Sequence, residues 1–108
     1  MEAASAGAAS RAGIVVGILP DAAPTHANPY VQIAIATGLR DARNAVIATA
    51  ADALIAVSGE YGTLSEIALA LKLGKPVVAL GSQWDKIPGT NRADTPQEAI
   101  EWVRTILT

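Results

Sequence analysis

Residues 53–80 read Ala53-Leu-Ile-Ala-Val-Ser-Gly-Glu-Tyr-Gly-Thr-Leu-Ser-Glu-Ile-Ala-Leu-Ala-Leu-Lys-Leu-Gly-Lys-Pro-Val-Val-Ala-Leu80. Leu54–Val57 is a short apolar run, the pattern of a strand buried on both faces. A glycine turn follows. Leu64, Ile67, Ala68 and Leu71 then recur at i, i+3, i+4, i+7, which predicts a helix with one apolar face. Gly74 marks its end, and Lys75-Pro76 forbids continuation. Pro76–Leu80 is a second buried strand. A strand, helix and strand in this order require a parallel pair with a right-handed crossover.

The same alternation extends in both directions. Towards the N-terminus, residues 1–12 are small and helix-compatible but offer no N-cap of their own. Gly13 ends that helix. Ile14–Leu19 is a continuous apolar run, expected to be buried on both faces, and Pro20 stops it. Residues 20–30 hold three of the six prolines and read as a loop. Val31–Ala36 is a second strand. Asp41 is a candidate N-cap for a helix running to about Ala51, with Ala42, Ala45, Val46, Thr49 and Ala50 on its inner face. Towards the C-terminus, residues 81–94 form a polar loop. Thr95-Pro-Gln-Glu98 is a capping box with proline at the first helical position. The last helix is expected to bury Ile100, Val103 and Ile106 or Leu107. The fold class is therefore α/β: a Rossmann-like parallel sheet flanked by helices, in one domain spanning residues 1–108.

Composition narrows the function. The 108 residues are 51% hydrophobic and 17% charged, a balance for a buried sheet and not for a disordered chain. A net charge of −2 argues against a nucleic-acid groove. With no Phe, two Trp and two Tyr, an aromatic platform for single strands is not expected. The absence of cysteine excludes disulfides, thiolate zinc sites and a cysteine nucleophile. The single His26 makes a histidine metal centre improbable, so no metal is expected. No stretch reaches the ~18 apolar residues of a membrane span. The start lacks the order of a signal peptide. The expectation is a cytoplasmic protein with neither membrane nor nucleic acid as partner.

The turn at Gly59–Thr63 is the candidate site. In an open parallel sheet, ligands bind beyond the carboxyl ends of the strands. Unpaired N–H groups at a helix start favour an anion, and glycine lets the backbone approach a phosphate closely. Gly59, Tyr61, Gly62 and Thr63 are the expected phosphate-side contacts, with Asn44 as an added polar contact; at the turn tip, Glu60 and Tyr61 face solvent, or Tyr61 covers a ligand ring. Glu66 has two readings. In Thr63-Leu-Ser-Glu66 it fits a capping box that reaches back to Thr63. Alternatively, it is a carboxylate one turn from a phosphate, available for proton transfer or for stabilising a positive sugar-like transition state. Arg43 lies in a first helical turn, where the dipole disfavours a cation. It is either solvated or positioned to meet an anion. His26 reads as an exposed loop residue.

Ser58-Gly-Glu-Tyr-Gly-Thr-Leu-Ser-Glu66 resembles the Pro-Gly-Gly-x-Gly-Thr-x-x-Glu motif of the LOG-like Rossmann proteins, long mislabelled as lysine decarboxylases. Thr37–Asn44, Ala51–Ala56 and Gly62–Val77, with Gly17–Pro20 and Asn28, are most similar to the molybdenum-cofactor-carrier-like branch of that superfamily. The resemblance implies a Rossmann-like fold, a homodimer or higher homo-oligomer, and a small phosphorylated ligand. That ligand is a nucleoside monophosphate or the molybdenum cofactor, with no cofactor required for chemistry. A carrier role is the first implication. The alternative is N-glycosidic hydrolysis of a nucleoside 5′-monophosphate, such as a cytokinin riboside monophosphate, with Arg43 and Glu66 on the catalytic positions of the motif. A third is a non-enzymatic remnant. Two departures stand out. Glu60 replaces the second motif glycine and adds negative charge beside the expected phosphate. The family's opening strand, helix, strand and Gly-Gly-x-x-Gly-Val-Met turn also have no counterpart before Met1. This implies a fragment, a mis-started frame or a partner that completes the sheet, with one wall of a two-walled site carried here.

Overall fold

A computed structural model describes all of Met1–Thr108. The backbone divides into two compact units, residues 1–43 and 44–108. Every strand pairing in both is parallel, and the fold class is α/β.

The first unit holds α1 (Glu2–Ser10), β1 (Val16–Leu19) and β2 (Ile33–Ala36). No side chain caps the start of α1. Its stop differs from the expected one. Gly13 N–H donates to Ala8 O and Ala12 N–H to Ala9 O, the bond pair of a Schellman motif. The left-handed position in that motif is Ala12, at φ 59°, while Gly13 occupies the next place. β1 and β2 pair in register from Val16↔Ile33 to Leu19↔Ala36. β1 is not buried on both faces as its apolar run suggests, and β2 is largely exposed too. Ile14 is 74% exposed, Ile33 50% and Val16 47%; only Val15 is buried. Two short strands bring too few helical side chains over them to cover both faces. The loop between them is tied down locally: Asn28 Nδ2 donates to Ser5 Oγ and its Oδ1 accepts from Tyr30 N–H. His26 is an exposed loop residue, with Nδ1 3.0 Å from Asp21 Oδ2.

The second unit carries most of the core. α2 (Arg43–Ala50) enters it from Asn44 onward, followed by β3 (Leu54–Val57), α3 (Tyr61–Lys72), β4 (Val77–Leu80), β5 (Asn91–Ala93) and α4 (Pro96–Leu107). The strand order is β3-β4-β5, so β3 is paired on one side only. Successive side chains on a strand face opposite ways. Leu54, Ala56 and Val77 accordingly pack with Ala48, Ile67 and Ala70 of α2 and α3 on one face. Ile55 and Val78 pack with Ala99, Trp102 and Val103 of α4 on the other. Alanine at 48, 56 and 70 lets two helices approach the sheet closely, and Ile67, Val77 and Val78 are the largest fully buried side chains.

The signals around α3 and α4 hold. Gly74, at φ 74°, occupies the left-handed position of a second Schellman motif, with Gly74 N–H to Leu71 O and Lys75 N–H to Ala70 O. Lys75 Nζ then donates to Thr49 O and Ala51 O, closing the C-terminal end of α2. Thr95 Oγ1 accepts from Glu98 N–H, while Glu98 returns to Asp94 N–H.

Five details depart from expectation. β5 lies within the stretch read as a loop, because Asn-Arg-Ala carries no apolar pattern. Its side chains make bonds of their own, Asn91 to Val77 O and Arg92 to Asp94. α2 is entered through a 3-10 turn, Arg40–Ala42, so Asp41 is not its cap. α2 buries Asn44 and Ala48, and its expected inner face lies exposed, Ala45, Val46, Thr49 and Ala50 lining a shallow depression. With alanine at 42, 45, 48 and 50, apolar spacing cannot phase this helix. α3 leaves Ala68 exposed and buries Ala70. α4 is rotated by about one residue from its expected phase: Ala99 is buried, whereas Ile100, Ile106 and Leu107 are about half exposed.

Candidate functional site

The turn from β3 into α3 is built from backbone that most residues avoid. Ser58 has φ 53° and Gly59 φ 98°, two left-handed residues in succession. Only glycine fits the second. A Cβ there would lie 1.9 Å from Thr63 Oγ1 and 2.3 Å from Thr63 Cβ. The Thr63 side chain therefore rests directly on the Gly59 backbone, and the loop lies flat against the first turn of α3. At Gly62 an added Cβ would meet nothing within 4 Å. Its surroundings are open.

α3 begins at Tyr61, earlier than a cap at Thr63 would have it. Thr63 is thus inside the helix, and the capping-box reading of Thr63–Glu66 is corrected. The residue at the cap position is Glu60, whose side chain makes no capping bond and is exposed. The start of α3 thus has no capping bond from its cap residue, in contrast to α4 with Thr95. The backbone N–H donors of a helix start, with the helix dipole behind them, suit an anion. Glu66 is half-buried one turn further on.

Asn44 is tied into the first turn of α3. It is 4% exposed, and its Nδ2 donates to Ser65 Oγ at 2.9 Å and Gly62 O at 3.3 Å. Ser65 Oγ donates to Gly62 O as well, at 2.7 Å. Asn44 thus braces the first turn of α3 from below. Its Oδ1 is buried without a hydrogen-bond partner. In the first unit, Arg43 is half-buried and its Nη1 donates to Ile18 O at 2.6 Å.

Two residues of the loop after β4, absent from the expected site, close around the turn. Trp84 Nε1 donates to Glu60 O at 3.0 Å and Gln83 Nε2 to Gly59 O at 3.3 Å. The Trp84 and Tyr61 rings stand 5.7 Å apart at 41°. The sequence signal that could have found them is positional. A loop after β4 shares the carboxyl end of the sheet with the turn after β3. No group of three or more His, Cys, Asp or Glu could hold a metal ion. No helix is long and apolar enough to cross a membrane.

The model of the SLOG cluster4 family matches residues 1–105. The chain belongs to that family. An uncharacterised protein of Archaeoglobus fulgidus is 46% identical over 102 residues, covering 94% of this SLOG cluster4 chain and 66% of that relative. The chain thus spans slightly less than two thirds of that relative's length. Among solved structures, the molybdenum cofactor binding protein of the phototrophic bacterium Rippkaea orientalis superposes with a TM-score of 0.91 at 38% identity, over 100% of this chain and 71% of that one. The molybdenum cofactor carrier protein of Chlamydomonas reinhardtii superposes at 0.80 with 35% identity, over 96% of this chain and 68% of that one.

Proposed function

We propose that this protein binds a small phosphorylated ligand at Gly59–Thr63 and acts as a carrier of the molybdenum-cofactor type, not as a catalyst. One observation carries the reading: the N-terminus of α3 has no side-chain cap and opens onto the Ser58–Gly59 turn in a chain that superposes closely on cofactor carriers. The local donors are backbone N–H groups and the Thr63 hydroxyl, a set suited to phosphate oxygens. Thiolate metal ligands are absent, since the chain has no cysteine. A molybdenum cofactor would therefore be held through its pterin phosphate and not through metal ligation by cysteine. Hydrolysis asks for Arg43 to face the sugar phosphate, and the bond from Arg43 to Ile18 O supports a structural use of that side chain instead.

The test uses Gly62→Asp. The open surroundings of Gly62 accept the new side chain. A carboxylate in the first turn of a helix is favourable by about 0.3–1 kcal/mol, so the fold is retained or strengthened. The same charge repels a phosphate. Calorimetric titration with AMP and with purified molybdenum cofactor under anaerobic conditions should show binding by the wild type and a loss of at least tenfold in the variant, with the melting temperature undiminished. Equal binding by both proteins would remove the phosphate from this turn. Adenine released from AMP would replace the carrier reading with hydrolysis.

A further inference from the structure

We propose that Tyr61 and Trp84 form the face on which the planar ring of the ligand stacks, so that the site selects phosphorylated heterocycles over phosphorylated sugars. The inference rests on the phosphate site proposed above and adds the other half of the ligand to it.

Three observations converge. First, Trp84 is held in place from several sides. Its indole N–H is bonded to Glu60 O, its backbone N–H donates to the hydroxyl of Ser82, and the ring packs partly against the core. Ser82 is itself buried, 7% exposed. A ring fixed in this way loses little further freedom when a ligand arrives, which favours binding. Second, Tyr61 stands beside it yet is 78% exposed. A clip between loop and helix would be served by Trp84 alone. A large ring left in water at the mouth of a turn has more surface to gain from a ligand than it has from the fold. Third, Tyr61 is the first residue of α3, whose N–H groups are the proposed phosphate donors. The stacking surface and the anion donors therefore belong to the same helical turn, and a compact molecule with a ring and a phosphate can reach both. Two tilted rings at 41° form an open angle and not a closed stack, leaving aromatic faces available.

Calorimetric titration separates the two halves. The probes are AMP and neopterin monophosphate, which carry ring and phosphate, and ribose 5-phosphate, which has no ring. Stacking is worth about 5- to 150-fold in affinity. The wild type is expected to prefer at least one ring-bearing phosphate over ribose 5-phosphate by that ratio. Tyr61→Ala, at an exposed position, should lower the ratio at least fivefold while leaving ribose 5-phosphate affinity unchanged; Tyr61→Phe should keep it. Trp84→Phe, which retains a ring but loses the bond to Glu60 O, should fall between them. A wild-type ratio near one, or a ratio untouched by Tyr61→Ala, overturns the stacking face while leaving the phosphate site standing. Ring-bearing ligands that bind Gly62→Asp as tightly as wild type, with no binding of ribose 5-phosphate, overturn the phosphate site alone. No binding of any probe overturns both.

Discussion

Replacing Gly59 by alanine should destabilise the second unit strongly, for reasons that can be separated. The backbone there is left-handed, at φ 98°. An L-residue in that region costs about 1–2 kcal/mol. The new Cβ would also fall 1.9 Å from Thr63 Oγ1, 2.3 Å from Thr63 Cβ and 2.8 Å from Thr63 Cγ2. Overlap of that kind forces a backbone shift, typically about 1–3 kcal/mol. The sum is about 2–5 kcal/mol, set against a stability of about 5–15 kcal/mol for a typical domain. Guanidinium denaturation followed by far-ultraviolet circular dichroism and tryptophan fluorescence measures it. The second mutation that decides the cause is at Thr63. Thr63→Ala retains Cβ, so the 2.3 Å contact persists and little is rescued. Thr63→Gly removes the obstacle at an intrinsic cost of about 1 kcal/mol to the helix. The double variant should then be more stable than the sum of the single losses predicts, by about 1–3 kcal/mol. A Gly59→Ala protein within about 0.5 kcal/mol of wild type, or full additivity with Thr63→Gly, would refute the packing of Thr63 on the turn.

Two further substitutions probe the ends of helices. Ala12→Gly relieves the left-handed position that closes α1 and should stabilise the first unit by about 0.5–1.5 kcal/mol, read as a raised denaturation midpoint; a lowered midpoint would contradict the Schellman geometry. Lys75→Met removes the ammonium from Thr49 O and Ala51 O and should cost about 1–2 kcal/mol, with faster amide exchange at the end of α2; unchanged exchange there would show that the lysine does not hold that helix end.

Much of the fold was legible because several local signals agree. The periodicity at Leu64, Ile67 and Leu71, the stop at Gly74 and Pro76, and the box at Thr95–Glu98 each point to the element that forms. β3 and β4 were legible from their apolar runs. What stayed hidden depends on neighbours that sequence spacing does not name. β5 has no apolar rhythm; it exists because β4 offers it an edge. α2 is alanine-rich, so spacing does not phase it; the face it buries carries Ala48 in the core and Asn44 bonding under α3. At the candidate site, the glycines and Thr63 announced themselves through their turn chemistry, and membership of the SLOG cluster4 family agrees with the motif. Trp84 did not. Its place beside the turn follows from parallel adjacency of β3 and β4, which brings together residues more than twenty positions apart.

The open side of β3 has a consequence for the handling and inheritance of this chain. Leu54 and Ser58 spend their amides on β4, so alternation turns those of Ile55 and Val57 towards the unpaired side. Any pairing made on that side would use main-chain atoms, which nearly any side-chain change leaves intact. Leu54–Val57 contains neither the charge nor the proline that usually silences an exposed strand edge. Proline at 55 or 57 is the rare point mutation able to mute it without touching a bond to β4. If a second copy pairs with that edge, the size-exclusion profile of such a variant shifts towards smaller species; an unchanged profile shows that no copy pairs there.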